Sequence, residues 1–391
     1  MSMRVNARAV ALALGAALVL PLQTAPAQFV PRASAAQGAA VAMYEDTLTS
    51  SFTVDGIPVV LRRVTANNVV AANVYLLGGT RQLTRDTQGI ELLLLEASER
   101  GTAKYPRDAL RARMAQLGSA IGVSPGVDWS VLGLRSTVAG FDSTWAILAD
   151  RLVAPRLDST EVERVREQIA SAVSQRTENP DALLEYLADS AAFVDHPYGL
   201  STVGTDASLA AITLDQLRTY QREQVVTSRL FVVVVGNVSR ERVERLMRST
   251  LATLPAGTYR WTLPDVPASR PSGATFVNRR LPTNYLQGYF VGPPASSPDY
   301  AALRLATAVL SGRLFTEIRE QRNLTYAVES PFRERAIGIG GLYVTTTQPD
   351  LVLSIMQREM RALQQGTITQ AGLDRLVRQF IVTYFLDNET N

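Results

Sequence analysis

The chain has no cysteine, one histidine and one lysine among its 391 residues, and these shortages exclude a good deal of chemistry. Without cysteine there is no disulfide framework, no thiolate metal site, no thiol nucleophile and no cysteine for lipid attachment. With His196 as the sole histidine, no metal site that needs a histidine pair can form. Lys104 is the sole lysine, so positive charge rests on arginines scattered among Glu and Asp over helix faces. The net charge is +3 and the pI near 9.2, yet no basic stripe forms, which argues against nucleic-acid binding. Gly-rich phosphate loops and G-x-S-x-G turns are missing too, leaving no motif for a stand-alone enzyme of another class.

What is present begins with a targeting signal. Arg4 and Arg8 precede an apolar run at 9–22 that is short for a bilayer span and is interrupted by Pro21. Ala25-Pro26-Ala27 and Ala33-Ser34-Ala35 both offer small-x-small cleavage sites. Residues 1–27 therefore read as a signal peptide, cleaved as late as 35, with an uncleaved anchor as the alternative. The expectation is a periplasmic chain with no stable membrane insertion after signal removal.

Periodicity then predicts the elements. Val-rich runs at 56–64 and 69–77 read as strands, followed by helices at 87–99 and 107–117 and strands at 120–124 and 129–137. Helices follow at 141–152, 160–175 and 182–193, the last after the break Asn179-Pro180, then a strand at 230–235 and a helix at 240–251. A proline-containing stretch without periodicity reads as a linker over 257–273. The second half restarts with strands at 274–277 and 285–291 and a helix at 299–310. Strands near 325–332 and 338–346 and helices at 351–363 and 373–385 complete it. The fold class expected is α+β, with two homologous lobes at 45–256 and 274–391. Each lobe is a mixed or antiparallel sheet flanked by helices.

Three strings carry a resemblance. They are Gly78-Gly79-Thr80 through Gly89-Ile90 to Arg100-Gly101-Thr102, then His196-Pro197-Tyr198-Gly199 with Gly204-Thr205. The third is Gly312-Arg313-Leu314-Phe315-Thr316-Glu317-Ile318-Arg319-Glu320 with Leu324-Thr325-Tyr326. With the order of elements, they resemble the insulinase/pitrilysin family of zinc metallopeptidases, its mitochondrial-processing-peptidase-like branch, over roughly residues 50–390. Active members carry H-x-x-E-H on the helix after the glycine, where two histidines share one helical face and the Glu activates metal-bound water.

Counted from Gly89 and back from Gly101-Thr102, the histidine positions fall on Leu92 and Glu96 and the general-base position on Leu95. The third-ligand position falls on Ala172. Glu91, Glu99 and Glu167 have the spacing of solvent-facing or capping residues, so the chain is expected to hold no catalytic residue, no metal ligand set and no cofactor. His196 reads as a turn residue. The resemblance implies a substrate-holding role for Arg319 and Tyr326, which would stabilise charge at a scissile carbonyl. The bland alternative pairs Arg319 with Glu317 or Glu320, and the loop before Arg313 is shorter and less Gly-rich than the family's.

The function so implied is that of a non-catalytic subunit. It would bind an extended peptide on an edge strand near 118–124, where Gly122 and Gly126 leave room, and close the chamber of a zinc-bearing homologue that supplies the metal. The alternative is a structural or assembly scaffold. Family members usually continue past the helix at 373–385, so either the chain is a fragment or its second sheet lacks a closing strand.

Overall fold

Alternation sets the first sheet. In β3 (Val69–Leu77), Val70, Ala72, Val74 and Leu76 are buried while the residues between them are not. β5 (Trp129–Thr137) and β6 (Leu230–Gly236) repeat the pattern, so all three put one face on the core. The computed structural model describes residues 48–266, 273–366 and 368–387. The segments expected to be signal and leader, part of the expected linker and the last four residues lie outside them.

β1 (Thr49–Val54) and β2 (Ile57–Arg63) form a hairpin whose turn residues, Asp55 and Gly56, both have positive φ. β4 (Ala120–Ser124) completes a six-stranded sheet in the order β1-β2-β6-β3-β5-β4, parallel only between β2 and β6. Along the chain α1 (Ile90–Ala97), α2 (Arg107–Leu117), α3 (Phe141–Val153) and α4 (Ser159–Glu178) precede α5 (Pro180–Ala192). α6 (Asp206–Ala211), α7 (Leu214–Gln224) and α8 (Arg240–Arg248) follow it. One apolar core joins α1, α3, α4, α7 and α8 to the sheet.

The second sheet is smaller. β7 (Asn284–Pro294) pairs with β10 (Ile337–Thr346), which also pairs with the short β8 (Val328–Glu329) and β9 (Phe332–Arg333), all antiparallel. Its core side packs on α9 (Asp299–Leu314) and α10 (Pro349–Gln365) through Leu310, Leu314, Val344, Val352 and Ile355. α11 (Gln370–Asp387) follows, with Val377, Ile381 and Phe385 exposed. On the opposite face, Ile337, Ile339 and Tyr289 meet Phe193 and Tyr198 of the first lobe. Polar contacts reinforce this seam: Arg335 pairs with Asp189 at 2.9 Å, and buried Asp128 accepts both the Tyr198 hydroxyl and the Ala336 N–H.

Three expectations change. The run 274–277 is not a strand: Phe276 and Val277 stand exposed, because strand propensity without a partner forms no ladder. Only four residues of 325–332 and its flank become strand, as β8 and β9. β1, α6 and α7 were not anticipated by periodicity. Among the described residues no helix is long and apolar enough to cross a membrane.

Candidate functional site

α1 starts where the chain turns sharply. Its N-cap, Gly89, has φ 89°, and a Cβ there would come within 2.8 Å of Gly204 Cα. Glycine at both positions lets the first and second strings touch, and Ser208 seals the contact by donating to the Gln88 carbonyl at 2.9 Å. The helix that follows is short and buried nearly all round.

Leu92 and Leu95, at the first-histidine and general-base positions, are both buried, as are Leu93 and Leu94 between them. Each such leucine contributes about 1.5–3 kcal/mol of hydrophobic stabilisation. Glu96 is half-buried, and its pKa is raised by burial first and by the neighbouring Glu99 carboxylate second. Ala172 lies exposed on α4 and offers no donor atom. Where active family members put histidines, the chain offers a cation one carboxylate, and a zinc ion needs about three protein ligands. These residues do not fit the metal.

Glu91 corrects the sequence reading. It faces the sheet and is buried, not turned to solvent. One carboxylate oxygen accepts from the Ser130 hydroxyl; the other accepts from the Tyr220 hydroxyl at 2.7 Å and from Arg229 at 2.9 Å. Burial works against the Arg229 charge, but Glu91 and then Tyr220 outweigh it, and the Arg229 pKa is raised. Burial, followed by Glu91, pushes the Tyr220 hydroxyl well above its ordinary value. With both oxygens engaged, Glu91 is a structural group. Glu99 and Glu167 are exposed, as their spacing implied. At the helix end, buried Arg151 donates to the Leu95 carbonyl and the Ser98 hydroxyl, each at 3.0 Å.

His196 sits in the turn before Pro197–Gly199. Its Nδ1 accepts from the Tyr198 N–H at 3.2 Å, so Nε2 carries the proton and donates to the Asp265 carbonyl at 3.0 Å. Burial lowers its pKa. Both nitrogens are occupied by backbone, which makes it a turn-holding residue.

The second lobe presents a different surface. Residues Phe315–Glu320 form a wide π-helical turn anchored by fully buried Ile318. The Arg319 guanidinium lies over the Tyr326 ring at 4.8 Å and the Phe315 ring at 5.0 Å, and Tyr326 is 82% exposed. Glu317, one of the local partners weighed for Arg319, pairs instead with Arg322 at 2.9 Å and Arg358 at 3.1 Å. The Thr325 hydroxyl bonds the Thr345 carbonyl, and the Ala327 carbonyl accepts from the Thr345 N–H. Both neighbours of Tyr326 are thus tied to β10 while its own side chain stands free of the core.

β4 is an edge strand of the first sheet. With no strand beyond it in the sheet, β4 has one side unpaired by any strand among the described residues, and a Cβ on Gly122 would meet nothing within 4 Å on the sheet face. Gly126 differs from the expectation: a Cβ there would lie 2.2 Å from the Trp129 carbonyl, so this glycine serves the β4–β5 turn.

Comparison with known proteins agrees with this architecture. A family model described as insulinase (peptidase family M16) matches residues 58–206, and one described as peptidase M16 inactive domain matches 211–380. An uncharacterized zinc protease of Rickettsia felis is 24% identical over 71% of this chain and 68% of its own length. An uncharacterized zinc protease of Mycobacterium leprae is 29% identical over 47% of this chain, and the match spans 43% of that protein. Among solved structures, a Helicobacter pylori protease superposes with a TM-score of 0.78 at 18% identity, covering 88% of this chain and 86% of that one. A peptidase M16 inactive domain from Pseudomonas fluorescens gives 0.76 at 22% identity over 86% and 84%. The periplasmic protease PqqL of Escherichia coli gives 0.71 at 15% identity, covering 87% of this chain but 40% of its own. The two family matches cover most of the chain between them, and the chain belongs to the insulinase (peptidase M16) family.

Proposed function

We propose that this chain is the non-hydrolytic partner of a zinc-bearing insulinase-family peptidase in the periplasm, of the mitochondrial-processing-peptidase type. It binds extended peptide and helps to close the chamber in which the partner cuts. The observation that carries the reading is the filling of the metal-side positions by buried Leu92 and Leu95, beside a second lobe that keeps Arg319 and Tyr326 together at the surface. A peptide strand adds to the open edge of β4 through backbone hydrogen bonds. Arg319 and Tyr326 supply the donors for its carbonyl oxygens. The partner supplies the zinc and the activated water.

The periplasmic part rests on the amino-terminal signal features and on the likeness to a protein described as periplasmic. The test is reconstitution with a family member from the same genome that carries an intact H-x-x-E-H. The reading requires a stable complex, faster casein cleavage than the zinc-bearing chain achieves alone, and loss of that gain in Arg319→Ala. No complex and no gain would refute it. A complex whose activity is indifferent to Arg319 and Tyr326 would favour a scaffold instead.

A further inference from the structure

The aromatic neighbours of Arg319 include one that this reading leaves unused. We infer that Phe315 is a positioning residue: its ring holds the Arg319 guanidinium at the surface so that the in-plane N–H donors stay available to a peptide oxygen. The inference rests on the peptide-binding reading of Arg319 and Tyr326 and names how that site is pre-set.

Three observations carry it. Phe315 is 38% exposed, whereas Leu314 and Ile318 in the same stretch are fully buried, so the core contacts of this turn come from the latter two. Arg319 follows Phe315 by one helical turn and lies 5.0 Å from its ring centroid, with the Tyr326 ring at 4.8 Å. Of the two carboxylates that could capture Arg319, Glu317 is held by Arg322 and Arg358, and among the described residues no ion pair joins Glu320 to Arg319. An arginine in a carboxylate pair has its fork of donors occupied. One resting on aromatic rings keeps the fork free for a planar oxygen acceptor, and its rotamer is settled before the ligand arrives. Phe315 therefore acts through Arg319 and not by contact with the reacting group.

The test uses the full chain with ¹⁵N-labelled arginine. The Arg319 Nε–Hε resonance, assigned by its loss in Arg319→Lys, is expected to be displaced by ring currents. It should move toward the free-arginine position in Phe315→Leu and stay displaced in Phe315→Tyr. Binding of fluorescein-labelled β-casein should weaken about two- to five-fold in Phe315→Leu, the range of an exposed cation–π contact, with recovery in Phe315→Tyr and a melting midpoint lowered by no more than a few degrees. An Arg319 resonance that does not respond to Phe315→Leu overturns the inference. So does native-like casein binding by Phe315→Leu when Arg319→Ala has lost it. If Arg319→Ala itself binds casein like the native chain, the fault lies in the peptide-binding reading, and the inference falls with it.

Discussion

Two stretches of this molecule carry the family's chemistry, and they have opposite characters. α1 in the first lobe is buried almost all round, its leucines packed and its one inward carboxylate consumed by Ser130, Tyr220 and Arg229. The turn after α9 in the second lobe keeps polar side chains at the surface, with Arg319 on its rings and Tyr326 largely in solvent. The contrast teaches that two stretches matched to one family can be built for opposite ends, one for packing and one for exposure. Burial and a ligand-binding role compete for the same atoms: a side chain that fills a core has none to offer a cation or a substrate.

The comparison breaks most visibly at the buried ion pair. Arg229→Ala strands the Glu91 carboxylate in the core and should cost about 3–5 kcal/mol of stability in a denaturant titration. The double change Glu91→Leu with Arg229→Met should recover only part of that loss: an apolar pair leaves no buried charge, but the Ser130 and Tyr220 hydroxyls lose their acceptor. Next in size, Leu95→Ala should cost about 2–5 kcal/mol, as expected of a leucine 1% exposed. Arg319→Ala, measured in the same titration, should cost no more than about 1 kcal/mol, since the side chain is half-buried and its contacts are cation–π. Equal losses for Leu95→Ala and Arg319→Ala would erase the distinction between the two stretches.

The smallest effect concerns Glu96. Its folded pKa is raised by burial and then by Glu99, so the fold holds its proton more tightly than the unfolded chain does. The ionised form therefore works against folding near neutrality, and that penalty disappears as pH falls through the folded pKa. Glu96→Gln should raise the melting midpoint slightly at about pH 7, with the gain fading as pH falls through the folded pKa and gone below about pH 4.5. A loss at about pH 7 that shrank on acidification would instead mean that the fold stabilises the carboxylate, for instance by a cation.

Much of this was legible in the sequence, for local reasons. β3, β5 and β6 announce themselves because the core lies on one side and the alternation is unbroken. β1 is poor in apolar residues, and only the Asp55-Gly56 pair betrays the hairpin. α6 and α7 open with capping boxes at Thr205/Ser208 and Thr213/Gln216, signals stronger than their short apolar patterns. The strand expected at 274–277 failed for the opposite reason: its residues suit a strand, but pairing is a tertiary event.

The site divides the same way. Motif spacing taken from the family resemblance put Leu92, Leu95 and Glu96 at the metal-motif positions and singled out Arg319 and Tyr326, whose side chains the fold brings into contact. It misjudged Glu91, whose partners Ser130, Tyr220 and Arg229 come from three distant elements. The available clue was a carboxylate at the head of a leucine run in a short helix, where no solvent-facing stripe is left for it. It also overrated Gly126, because an open edge and a tight turn both use glycine.

The most direct test of the central claim is elemental analysis of the purified, chelator-washed chain, coupled to a casein-hydrolysis assay on the same sample. The account predicts substoichiometric zinc and no cleavage until a zinc-bearing family member is added. One firmly held zinc ion per chain, with hydrolysis by that preparation alone, would contradict it.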